Sequence, residues 1–102
     1  MSEFDKWFDY RNLILALRYD AIYSTVEMTI VKNPDTLEPQ ATFLAKGVRN
    51  LKVDRFHDPG EVCMGDCERY VRKKCPEGYS NEIWTGDAVI TFESTGTFGR
   101  KS

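Results

Sequence analysis

No charge of one sign dominates this chain, no apolar run is long, and no recognised catalytic motif stands in it. Fourteen Lys and Arg against sixteen Asp and Glu leave a formal net charge of -2. That balance gives no net positive field for holding phosphates and is far too mild for an acidic mimic of nucleic acid. The longest strongly apolar stretch, Leu13 to Leu17 (LILAL), falls well short of the roughly 18–20 residues that span a bilayer. The opening MSEFDKWFDY places acids and rings where a secretory signal needs a basic start and then an apolar run, and no lipidation box is present. The expectation is a cytoplasmic protein with no membrane part. Gly47, Gly60, Gly65 and Gly78 are too dispersed to cradle a phosphate, and Asp54, Asp58, Glu61, Asp66 and Glu68 do not follow the spacing of a calcium loop. Neither a repeat nor a low-complexity tract occurs.

What is present is a chain of 102 residues, 41% of them hydrophobic, enough for one self-standing domain spanning 1–102. Ser2 and Asp5 resemble a helix cap, and Phe4, Trp7, Phe8 and Arg11, then Tyr10, Ile14 and Leu17, fall at helical spacing. This predicts a helix from about Glu3 to Leu17, with a buried strand over Leu13–Leu17 as the other reading of its last part. From Ala21 to Lys32 the period changes to two, with Val26, Met28 and Ile30 alternating with Thr25, Glu27 and Thr29. Asn33 to Pro39 reads as a hairpin loop. Residues 40–46 and 48–56 read as two strands, or one strand bent at Gly47, with Val48, Leu51, Val53 and Phe56 inward. His57, Asp58, Pro59 and Gly60 form a turn cluster.

Asp66 to Lys74 (DCERYVRKK) reads as a short helix capped by Asp66, with Cys67, Tyr70 and Val71 on one face and Arg72, Lys73 and Lys74 at the end favoured by the helix dipole. Glu82–Trp84 and Ala88–Glu93 around Gly86-Asp87 form a closing hairpin. The tail from Ser94 frays unless Phe98 docks. The expected fold class is therefore α+β: an N-terminal helix packed on a mostly antiparallel sheet, with a short Cys-containing helix before a C-terminal hairpin.

Chemistry is most concentrated at His57, Cys63, Cys67 and Cys75, since an imidazole and three thiolates make a closed tetrahedral zinc set. Only the Cys63–Cys67 gap has ligand spacing, and no Cys-x-x-Cys pair occurs. Zinc, a disulfide between two of the three cysteines, and ordinary reduced thiols all stay open; the favoured reading has no cofactor and no metal. A Cys–His nucleophile lacks any family signature, so no enzyme activity is expected. The basic run Arg69, Arg72, Lys73 and Lys74, flanked by Tyr70 and Tyr79, offers a small nucleic-acid patch diluted by Glu68 and Glu77. Rings at Phe4, Trp7, Phe8 and Tyr10 cannot all face one core, and exposed Trp and Tyr anchor interfaces. Trp7, Tyr10, Arg69, Tyr70, Arg72 and Lys73 are therefore the expected partner-binding residues.

The segments Tyr19 to Val31 (YDAIYSTVEMTIV) and Leu44 to Phe56 (LAKGVRNLKVDRF) resemble the paired strands of small bacterial immunity proteins of polymorphic toxin systems. Small phage-encoded inhibitors of host defence, anti-CRISPR proteins among them, share this size and lack of catalytic motifs. The resemblance implies a non-enzymatic inhibitor whose partner is another protein, a toxin or a defence effector, with self-association also open. The alternative is a zinc-stabilised module that binds nucleic acid through the 57–75 His/Cys cluster and the 69–74 basic run.

Overall fold

Thr25 to Val31 is the segment around which the first sheet forms, because its two-residue alternation buries Val26, Met28 and Ile30 completely on one side. The computed structural model describes residues 3–33, 35–55 and 65–101, Arg55 by its backbone alone. Among them, one helix, α1 (Glu3–Trp7), precedes the strands β1 (Leu13–Asp20), β2 (Thr25–Val31), β3 (Gln40–Ala45), β4 (Arg49–Arg55), β5 (Cys67–Cys75), β6 (Gly78–Thr85), β7 (Ala88–Ser94) and β8 (Gly99–Lys101). The strands make two four-stranded antiparallel sheets, β1-β2-β3-β8 and β4-β7-β6-β5. Strands hold 62% of the described residues and the helix is five residues long, so the fold is mostly β rather than a helix packed on a sheet. No described helix is long and apolar enough to cross a membrane.

The expected helix over 3–17 stops after Trp7 for a local reason. In a continuing helix the N–H of Arg11 would donate to the carbonyl of Trp7. Here that N–H donates instead to Asp9 Oδ1 at 2.9 Å, while the buried Asn12 side chain donates to Trp7 O at 2.7 Å and closes the helix end. Leu13–Leu17 is then the strand reading, paired from Leu13↔Val31 to Asp20↔Thr25 with an irregularity between Ile14 and Ala16. Ser2, the expected cap, lies outside the described residues.

The predicted Cys-containing helix is strand β5. Asp66 caps no helix; it bridges Leu13, with the N–H of Cys67 donating to Asn12 O at 3.1 Å, and so ties a corner of one sheet to the other. The sequence Pro76-Glu77-Gly78 returns the chain directly into β6, with Cys75 paired to Gly78. Gly78 sits at φ 141°, where an added Cβ would lie 2.1 Å from Ser94 O, so this tight return requires glycine.

The hairpin at Gly86-Asp87 is present, braced by the buried Thr85 hydroxyl, which accepts the N–H groups of Asp87 and Ala88 at 3.0 and 2.9 Å. Residues 40–46 and 48–56 are two strands in different sheets: β3 pairs with β2, and β4 crosses over to pair with β7. Val48 is buried and Leu51 half-buried, but Val53 is 41% exposed because β4 is an edge strand. Phe56 and the turn cluster His57–Gly60 lie outside the described residues. Of the Leu44–Phe56 segment, only Leu44 and Ala45 pair with β2, so the strands behind the immunity-protein resemblance are split between two sheets.

Both sheets share one core, joining Ile14, Val26, Met28, Ile30 and Phe43 to Ile83, Ile90 and Phe92. Phe98 docks into it, 3% exposed, and β8 pairs with β3, so the tail is held through Lys101. One polar chain crosses the core. The Tyr70 hydroxyl donates to Asn81 Oδ1 at 2.7 Å, Asn81 Nδ2 donates to Ser94 Oγ at 2.9 Å, and Ser94 Oγ donates to Gly96 O at 2.7 Å.

Removing the middle of that chain costs more than removing its end. Asn81→Ala leaves a cavity, takes the acceptor from the Tyr70 hydroxyl and removes the donor to Ser94 Oγ and Phe92 O, at about 2–4 kcal/mol, whereas Tyr70→Phe strands one acceptor, at about 1–2 kcal/mol. Denaturant unfolding of both variants checks the order; an equal or larger loss in Tyr70→Phe would contradict it.

Candidate interaction site

The six expected contact residues do not form one patch. Trp7 is 8% exposed, its ring against Phe43, with Lys32 Nζ 4.6 Å and Arg100 Cζ 5.5 Å from its centroid. It is a core wall roofed by two cations rather than a surface anchor, because it stands three residues after the buried Phe4 on the same face of α1. Tyr10 stays outside, 75% exposed, with Arg11 over its ring. Tyr70 is half-buried, 5.0 Å from the Phe4 ring, and burial raises its hydroxyl pKa. Arg69, Arg72 and Lys73 are exposed, but β5 alternates them. Arg69 and Lys73 line a depression of about 230 Å³ with Val71, Ser80 and Glu82, while Arg72 lies beside Tyr70 and Tyr79.

The four-residue metal set is not brought together. Cys67 and Cys75 sit at opposite ends of β5, eight rises of roughly 3.3 Å or about 26 Å apart, too far to share an ion or a disulfide. His57 and Cys63 lie outside the described residues. Among the described residues no group of three or more His, Cys, Asp or Glu could hold a metal. Cys67 is fully buried, and burial pushes its thiol up to about 12, opposite to the activation a nucleophile needs.

The most developed surface feature is the turn between β1 and β2. Asp20 Oδ1 accepts the N–H groups of Ile22 and Tyr23 at 2.9 and 3.2 Å, Ser24 adopts φ 53°, and Val48 N–H donates to Ser24 O at 2.8 Å. This bracing presents Ile22, 88% exposed, and Tyr23, 75% exposed. A short polar side chain folding back on the amides two and three residues on is the usual way an Asp starts a tight turn. Reading 21–32 as one strand hid it; Asp20 followed by four residues without alternation was the available signal.

Beneath Tyr23 the outer face of the first sheet forms a depression of about 400 Å³, lined by Arg18, Asp20, Tyr23, Thr25, Glu27, Leu44, Lys46 and Lys101. Arg18, Glu27 and Leu44 stand in one cross-strand row. Glu27 is ion-paired with Lys101, and Asp20 serves the turn amides, so Arg18 and Lys46 give the rim a positive excess. An apolar tip beside a charged hollow suits a protein surface with an apolar pocket and acidic groups around it.

The placement of the thiols is directly testable. In the native protein iodoacetamide should modify Cys75 and leave Cys67 intact until denaturant is added, as read by peptide mass mapping; early labelling of Cys67 would contradict its position. Compared with protein-family models, with curated proteins and with solved structures, the chain has no match, so its functional reading starts from this geometry.

Proposed function

We propose that this chain is a binding protein, without a reaction of its own, that docks on one protein partner in the cytoplasm and blocks it. The observation that carries the reading is the braced β1–β2 turn, which holds Ile22 and Tyr23 outward over a charged hollow. Turning such side chains to solvent forgoes about 1.5–3 kcal/mol each on folding, and that free energy is regained when a partner covers them. Because the turn is fixed by Asp20 and by Val48, little ordering entropy is lost on docking. Tyr is a residue type that dominates interface energetics, and the surrounding charges supply register and exclude wrong partners.

A toxin or a defence effector is the partner class named by the resemblance of 19–31 and 44–56 to immunity proteins and phage inhibitors. The zinc-stabilised nucleic-acid reading has less support. Its cations divide between two faces of β5, and two of its four ligands stand at opposite ends of that strand.

Tagged protein recovered from the cells that naturally contain it should hold one partner near one equivalent and reduce that partner's activity to completion at that ratio. Ile22→Asp and Tyr23→Ala should each weaken the complex by about 10- to 1,000-fold while shifting the thermal midpoint by no more than about 2 °C, since both side chains are exposed. A partner held equally well by the folded double variant, or none held at all, would overturn the proposal.

A further inference from the structure

β5 is the longest strand among the described residues, nine residues, and it ends its sheet. From Arg69 to Cys75 its register partner is β6 alone; across its other edge, the bridge Leu13↔Asp66 and the bond from Cys67 N–H to Asn12 O lie at its start. Beyond them, one row of backbone donors and acceptors has no partner among the described residues. A long strand edge of this kind is a template for adding another strand.

The side chains say which strand fits. β5 carries Arg69, Arg72, Lys73 and Lys74 against the single acid Glu68, a strand charge of +3. They stand on both faces: Arg69 and Lys73 with Val71 on the outer face, Arg72 beside Tyr70 and Tyr79 on the other. A second copy of this chain would bring +3 against +3, which cross-strand pairing penalises. We infer that the edge of β5 from Arg69 to Cys75 takes up an extended acidic segment of another protein as an added antiparallel strand. Carboxylates on both faces of that segment meet Arg69 and Lys73 on one side and Arg72 and Lys74 on the other, while its middle apolar residues lie against Val71 and Tyr70. This site is separate from the β1–β2 turn and stands whether or not the turn binds a partner.

The full chain, isotope-labelled for amide NMR, would be titrated with a ten-residue peptide of Glu, Asp, Val and Thr bearing acids on both faces. Two control peptides keep its length: one keeps the charge but places Pro at two central positions, and one replaces every acid by Lys. The acidic peptide should shift the amides of residues 69–75 and slow the solvent exchange of the alternate ones that point away from β6, and raised salt should weaken it. The proline peptide should bind at least tenfold more weakly, since proline cannot complete the ladder, and the lysine peptide should not bind. The double variant Arg72→Glu, Lys74→Glu should lose at least tenfold in affinity while keeping its amide spectrum elsewhere. Equal binding of the acidic and proline peptides would overturn the inference by showing charge attraction alone. So would protection, already present without peptide, of the alternate 69–75 amides that point away from β6, shifts confined to residues 19–24, or a single-stranded ten-nucleotide DNA that binds as tightly at the same amides.

Discussion

The ring of Phe4 stacks on that of Phe98 at 4.4 Å and 16°, with Phe43 of the first sheet at 5.2 Å and Tyr70 of the second at 5.0 Å, both edge-on. Phe98 in turn meets Phe92 of the second sheet at 90°. These rings join the helix, the returning C-terminal segment and the inner faces of both sheets. Aromatic pairs at such angles contribute about 0.5–1.5 kcal/mol each beyond the area they bury. The consequence reaches the surface. Phe98 leads directly into β8, and β8 supplies Arg100, which pairs with Glu3, and Lys101, which pairs with Glu27 in the wall of the charged hollow. The hollow beside Tyr23 therefore depends on rings buried beneath the other side of its sheet.

Against that arrangement, what the sequence reveals follows from how many structures each pattern permits. Val26, Met28 and Ile30 alternate over enough residues to exclude a helix, and Gly86-Asp87 between two alternating runs permits little besides a hairpin. LILAL satisfies both periods, and its outcome was decided by tertiary pairing with β2 and by Asn12 taking the carbonyl of Trp7. In CERYVRKK, cations at the end suit a helix dipole as well as they suit a strand edge, so the pattern is ambiguous. Pro76-Glu77-Gly78 resolves it only once Gly78 is seen against the backbone of Ser94. The conditional expectation at Phe98 was answered by a ring far away in sequence, at Phe4.

Site residues were less legible for a related reason. Trp7 has the composition of an interface anchor, but it shares the face of α1 that buries Phe4, and its ring meets Phe43. Ile22 and Tyr23 look like strand residues until Asp20 is seen holding the turn amides. Cys67 and Cys75 are ligand types, yet an extended backbone carries them about 26 Å apart where a helix would have carried them about 12 Å. In each case a side chain's chemistry was readable and its direction was set by the backbone conformation around it.

Hydrogen–deuterium exchange of this chain, alone and saturated with the partner it retains, tests the central claim most directly, because it locates the docking surface without altering a residue. The account predicts slowed exchange in residues 19–24 and in 99–101, the segments that carry the tip and the far wall of the hollow. Unchanged exchange in both segments, with protection gained elsewhere, would contradict it.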